Sequence, residues 1–459
     1  MSLYLKNDKI TKLLNNRKII ISKKKLLQYL LFTKDNFNKF TNLTSKCKQN
    51  LNDIDTKHIN PLSWQIGHVI FFYSNLILKN LDNCQNIDYI ENYNKYVDFY
   101  DSWKTPVENR IGELLIPHTK CLKYYNIIIT ILINYINNNE IGKKESYLIM
   151  LGILHNEMHN EAFIFTKLKI NNTLPEQFNF KIEELSPRNL IKNIDFISYK
   201  SGEFTQGSND SKDYLIFDNE MPSFKTKLNS FKISKYPITE YQYLQFIKEG
   251  GYIKNEYWSP NGIKWKDKYN IELPLYWEKV LKNTENNKYY YEYFKTINNK
   301  KLSVETNLPI VHISYYEANA FCKWMNGRLP TETEYEYVST NEGKTIYPWG
   351  NGHPNDKLCN LNYKNTIQSV NEYKMGNNKK GISQLIGNVW EWCQEPIYPY
   401  NGFVIDPIYR EMSYPFFGFK RICKGGAFCV PDFLIHPKYR NAQYPDCRIQ
   451  FIGFRICKD

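Results

Sequence analysis

A chain of 459 residues exceeds the length at which one hydrophobic core usually stops growing, so two domains are expected, and 42% apolar with 16% aromatic content excludes a disordered polypeptide. The net charge of +13 arises from 60 basic residues interspersed with 47 acidic ones. Without a basic block or a zinc-finger, homeodomain or RNA-recognition signature, no nucleic-acid partner is expected.

The ten cysteines form no Cys-x-x-Cys pair, Met1 to Asn15 lacks the apolar core of a signal peptide, and no apolar run of about 18 residues is present to span a bilayer. The expectation is a cytoplasmic protein with reduced thiols and no membrane partner. Residues 1–24 are Lys-rich with weak apolar periodicity and read as a basic, frayed lead-in. From Lys25 to Cys47, Leu26, Leu27, Leu30, Leu31, Phe37 and Phe40 recur at helical spacing. Trp64 to Leu81, Ile116 to Asn138 and Glu145 to Leu168 continue that pattern, and four amphipathic helices over residues 25–170 predict an antiparallel bundle.

The fourth of these helices carries His155-Asn-Glu-Met-His159-Asn-Glu161. Residues four apart on a helix share a face, so the two imidazoles can converge on one metal ion. His68, in Trp64-Gln-Ile-Gly67-His68 on the second helix, is the candidate third ligand. Three neutral histidines leave an octahedral iron three open positions, the pattern of a catalytic rather than a structural site. Glu161 in place of one histidine is the alternative, although six positions after His155 it falls toward the far side of the helix. Asn156, Glu157, Asn160 and Glu161 otherwise read as a solvated face. Between the second and third helices, the long loop Phe99 to Pro117 offers Arg110 as a bidentate carboxylate clamp and Tyr100 as a hydrogen-bond or proton donor.

Residues 171–193 are polar, hold two prolines and read as a linker. From 194 to 459 short strands, glycines and aromatic residues predict an irregular α+β domain with much coil. Within it stand His312-Ile-Ser-Tyr-Tyr-Glu317, Gly327-Arg328-Leu-Pro330-Thr-Glu332-Thr-Glu334, Tyr347-Pro-Trp349-Gly, Gly387-Asn388-Val-Trp390-Glu391-Trp392, Gly425-Gly426-Ala-Phe and Gly453-Phe454-Arg455. This series resembles the formylglycine-generating-enzyme (sulfatase-modifying-factor) domain, a C-type-lectin-like fold. Most of its residues read as scaffold, with Trp and Gly allowing close backbone packing and charged groups satisfying buried polar partners. The resemblance implies two copper-binding cysteines after the Gly-Gly pair. Here Cys429 is followed at the matching distance only by His436 and Pro437, so formylglycine generation is not expected.

A helical segment with Gly67-His68 and His155-x-x-x-His159-x-Glu161, joined to such a domain, is similar to the nonheme-iron sulfoxide synthases of ergothioneine and ovothiol biosynthesis. The resemblance implies a DinB-like four-helix bundle followed by the formylglycine-generating-enzyme-like domain, with Fe(II) on His68, His155 and His159. It further implies O2, a cysteine-type thiol and an imidazole amino acid, either hercynine or histidine, as small-molecule substrates. On its matching position Asn441 would contact the imidazole substrate, and Arg110, in a similar loop, would grip the thiol substrate's carboxylate; a catalytic tyrosine needs hydroxyl access to the iron pocket, for which Tyr409 and Tyr100 are the candidates. Gln443 stands where ergothioneine-type members place an aspartate, and Met158 where bacterial ones often place glutamine. A noncatalytic scaffold or a different metal-dependent oxidase on the same architecture are the competing readings. Oligomeric state is not legible in the sequence.

Overall fold

Helical periodicity in the first part of the chain becomes four α-helices in the computed structural model, which describes residues 17–44, 58–82, 84, 96–112, 114–178, 189–283 and 289–459. Positions 1–16 of the expected lead-in, 45–47 at the end of the first expected helix and 179–188 of the expected linker lie outside the described residues. The helices are α1 (Lys23–Thr44), α2 (Leu62–Phe72), α3 (His118–Asn138) and α4 (Lys143–Asn171). Each of α1 and α2 packs against both α3 and α4, which closes a ring of four helices around one core. After Phe72 the second helix widens into a π-turn over Tyr73–Ile77 and tightens over Leu78–Asn80. Helix α4 meets this turn at Gly152, where an added Cβ would lie 2.5 Å from Tyr73 Cε1, so glycine is what lets the two backbones approach.

Two corrections to the expected bundle follow. Residues 17–22 are ordered against it: Ile19 and Ile21 are buried, the Ile21 N–H donates to Ser146 Oγ at 3.0 Å, and Arg17 is buried as well. The polar residues of α4 are not a solvated face, because Asn156, Glu157, Asn160 and Glu161 are all buried. The same compact unit, residues 1–171, also takes in two segments that chain order would assign to the second domain, 208–222 and 399–415.

The other unit is built on short strands. β1 (Phe196–Tyr199) pairs antiparallel with β4 (Phe231–Ser234), which also pairs with β12 (Cys457–Lys458), and β2 (Gly202–Gln206) pairs with β3 (Phe224–Leu228). A third, separate antiparallel sheet joins β5 (Trp277–Asn283), β6 (Tyr289–Ile297) and β7 (Lys300–Ser303). A fourth has the order β10 (Asn441–Gln443), β9 (Arg421–Lys424), β8 (Trp390–Pro396) and β11 (Ile452–Gly453), with β11 parallel to β8.

Among the described residues four short α-helices complete this unit: α5 (Glu240–Lys248), α6 (Pro260–Lys268), α7 (Tyr315–Trp324) and α8 (Glu332–Ser339). Reciprocal capping boxes start α5, α7 and α8, with Thr239/Gln242, Ser314/Glu317 and Thr331/Glu334 each satisfying two otherwise orphaned N–H groups. Two of the sequence motifs meet in its core, where Arg455 Nε donates to Glu391 Oε2 at 2.6 Å and Nη2 to Oε1 at 2.7 Å, both side chains fully buried. Among the described residues no helix is long and apolar enough to cross a membrane.

Candidate metal centre

Helix α2 presents His68 and helix α4 presents His155 and His159, and the ligand nitrogens of the three all lie within 4.8 Å of one another. Among the described residues this is the group of His, Cys, Asp and Glu side chains that converges on one point, and no carboxylate, Glu161 included, belongs to it. The Nε2 atoms of His68 and His155 are 3.1 Å apart. A metal–imidazole bond of about 2.1 Å puts neighbouring nitrogens at right angles about 3 Å apart, so this pair fits one edge of an octahedral shell.

Hydrogen bonding and burial set the protonation these ligands need. His68 Nδ1 donates to the Tyr100 carbonyl at 2.7 Å, which leaves the lone pair on Nε2, the atom facing His155. His159 Nδ1 stands 3.3 Å from Gln65 Oε1, and Gln65 Nε2 donates in turn to Asn60 O at 2.8 Å. Burial pushes the His68 imidazole down to about 4, with the Arg110 charge adding to the effect. Burial also lowers His155 and His159 well below the ordinary histidine range, helped by the neighbouring imidazoles. All three are neutral near pH 7, as metal donors must be.

Aromatic walls fix the ring planes. Trp64 stacks on His68 at 4.8 Å between centroids, and Phe72 stacks on His155 at 3.6 Å and 6°. Tyr409, buried on the 399–415 segment of the same unit, meets both edge-on, with its ring 5.5 Å from His155 and 5.1 Å from Phe72. The Tyr409 hydroxyl lies 4.0 Å from Met158 Sδ, and burial, with Glu411 and Asp218 nearby, raises it well above the ordinary phenol range. His68, His155, His159, Met158 and Tyr409 are thus gathered in one place.

The other expected site residues are disposed differently. The Tyr100 hydroxyl accepts the Ile116 N–H at 2.8 Å, so it is the Tyr100 carbonyl, through His68, that reaches the centre. Arg110 is buried, stacks over Trp64 at 4.1 Å, and donates from Nε to Thr105 O, from Nη1 to Asn60 Oδ1 and from Nη2 to Ser102 O. Two of its five N–H groups therefore bind carbonyls within the loop, a third reaches Asn60 just ahead of α2, and two remain for a ligand. Asn441 and Gln443 stand partly buried on β10, with Asn441 Oδ1 accepting the Ala442 N–H at 2.8 Å. Gln65 and Trp64 were missed as supports of the centre, although Gln65 stands three residues before His68 and so shares its helix face.

One consequence concerns Gly67, where an added Cβ would overlap the Tyr100 ring. Gly67→Ala must displace Tyr100 and with it the carbonyl that orients His68. A loss of about 10- to 100-fold in metal affinity is expected, with helix content unchanged, as read by anaerobic titration and circular dichroism.

Residues 181–459 match the sulfatase-modifying factor enzyme 1-like domain. The chain belongs to that family. The chain is 30% identical over 262 residues to a hercynine oxygenase of Mycobacterium tuberculosis, a match covering 56% of this chain and 59% of that protein. It is 28% identical over 319 residues to a formylglycine-generating enzyme of Thermomonospora curvata, covering 61% of this chain and 98% of that one. Among solved structures it is similar to PvdO from Pseudomonas aeruginosa, at 17% identity and a TM-score of 0.38, covering 60% of this chain and 99% of that one. The chain thus spans about 59% of the length of the mycobacterial relative it matches.

Proposed function

We propose that this chain is an Fe(II)- and O2-dependent sulfoxide synthase that joins the sulfur of a cysteine-type thiol to the imidazole carbon of hercynine or histidine. The observation that carries the reading is three neutral imidazoles, two of them buried and the third partly so, converging within 4.8 Å beside the Tyr409 ring. Likeness to hercynine oxygenases supports the substrate class. The balance is one thiol, one imidazole C–H and one O2 giving the sulfoxide and water. The C–S bond forms, one oxygen atom goes to sulfur, and the other leaves with the two hydrogens.

His68, His155 and His159 would hold the iron, which when bound would supply the Lewis acidity that keeps a thiol deprotonated and the redox couple through which the electrons given up by the thiol and the imidazole C–H reach oxygen. The chain's own residues do the rest. The Tyr100 carbonyl holds the His68 tautomer, Phe72 and Met158 exclude water, and the Tyr409 hydroxyl stays protonated as a donor. The two remaining Arg110 N–H groups would take the thiol substrate's carboxylate. Asn441 and Gln443 are proposed contacts of the imidazole substrate on their motif positions.

The deciding experiment incubates metal-free protein anaerobically with Fe(II) and each imidazole–thiol pair, admits air, and detects products by mass. The expected product weighs the two substrates plus one oxygen minus two hydrogens. Oxygen uptake without such a product for every pair would overturn the reading. If Gln443 contacts the imidazole substrate, Gln443→Asp adds a full negative charge there and is expected to shift preference toward the cationic hercynine by about tenfold in competition with histidine, and an unchanged ratio would place Gln443 outside the site.

A further inference from the structure

We propose that Arg17 is a positioning residue for Tyr409: through Asp406 it holds the backbone of the tyrosine segment against helix α4, so a buried cation from the N-terminal strap sets where the hydroxyl stands beside the histidines. This rests on the reading of Tyr409 as the proton donor of the reaction.

The contacts run in one direction. Arg17 Nη2 donates to Asp406 Oδ2 at 3.1 Å and Nη1 to the Ile216 carbonyl at 3.1 Å, while the guanidinium lies over the Tyr147 ring at 4.9 Å. Tyr147, two turns before His155 on α4, donates its hydroxyl to the same Asp406 oxygen. The other oxygen, Asp406 Oδ1, accepts the backbone N–H of Ile408 at 2.9 Å and of Tyr409 at 3.4 Å. Asp218 secures both sides of the tyrosine, taking the Asp406 N–H at 2.9 Å and the Ser413 hydroxyl at 2.9 Å.

Charge explains why an arginine is needed. Asp406 and Asp218 are neighbouring buried carboxylates, Asp210 lies 3.6 Å from Arg17, and Arg17 is the cation set against them. Without it, two like charges sit side by side in a medium of low dielectric, and the segment between them is the part free to move. Helix α4 also carries two of the histidines, so the anchor and the centre share one rigid element. Displacement of a positioned group by about 1 Å is enough to lower a rate by about 100-fold.

The test uses the full chain with Arg17→Met, Arg17→Lys, Asp406→Asn and Tyr409→Phe. Amide hydrogen exchange on metal-free protein is expected to show roughly tenfold faster exchange at Ile408 and Tyr409 in Arg17→Met and Asp406→Asn, with α4 around His155 unchanged. Arg17→Lys, which keeps the charge and loses the fork, is expected to fall between; it and Asp406→Asn carry the test if Arg17→Met fails to fold. In turnover, Arg17→Met should lower kcat about 100-fold with little change in KM, and should cost nothing further in the Tyr409→Phe background. Unchanged exchange would overturn the proposal, and so would effects of Arg17→Met and Tyr409→Phe that multiply. If wild-type protein forms no thiol–imidazole product, the reaction assigned above fails, while the exchange measurement still decides whether Arg17 holds the segment.

Discussion

Replacing His155 by alanine is expected to lower affinity for a divalent metal by more than about 100-fold, beyond the range that loss of an outer hydrogen-bond partner produces, and to abolish oxygen consumption. The physical reason is the donor count. With His155 gone, His68 and His159 are two neutral nitrogens on different helices, and two such donors do not hold a labile divalent ion against water. The fold should survive, because His155 Nδ1 has no hydrogen-bond partner to lose and alanine is the best helix former at this position in α4. Anaerobic calorimetric titration with Fe(II) and an oxygen electrode check both halves. His118→Ala, at the first residue of α3 and outside the cluster, is the control and should behave as wild type. Retained metal binding in His155→Ala would remove the centre.

Arg455→Met is expected to destabilise the strand-rich unit by about 3–5 kcal/mol, the usual cost of leaving one member of a buried ion pair uncompensated. Arg455 is fully buried, grips both oxygens of Glu391, and also donates to the Ser234 and Ser383 carbonyls at 3.3 and 3.0 Å, so it ties β4, β8 and the segment at Ser383 together. A loss of that size is a large fraction of the about 5–15 kcal/mol that holds a domain folded, and the urea midpoint should fall accordingly. The double variant Arg455→Met with Glu391→Gln should recover part of the loss, because no buried charge is then left unpaired. If the single variant matched wild type, Arg455 would not be the centre of this core.

Periodicity was enough to lay out the four helices, because an amphipathic stripe such as Leu26, Leu30 and Phe37 is written locally and its burial follows from spacing alone. The capping boxes at Ser314/Glu317 and Thr331/Glu334, and the four-residue spacing of His155 and His159, are local in the same sense. What a polar group meets at long range is not. Asn156 and Asn160 read as solvent-facing, yet α4 is covered on all sides, and they find the Tyr125 hydroxyl and the Thr33 carbonyl. Tyr100 was singled out for its hydroxyl and Arg110 for its fork, while packing gives the first to Ile116 and most of the second to loop oxygens. Arg17 shows the limit most clearly: its partner Asp406 is 389 positions away, and no local pattern could have paired them. A hydrophobic stripe needs only a covered face and so can be read from the chain, whereas a buried charge needs one particular partner, which only the tertiary structure supplies.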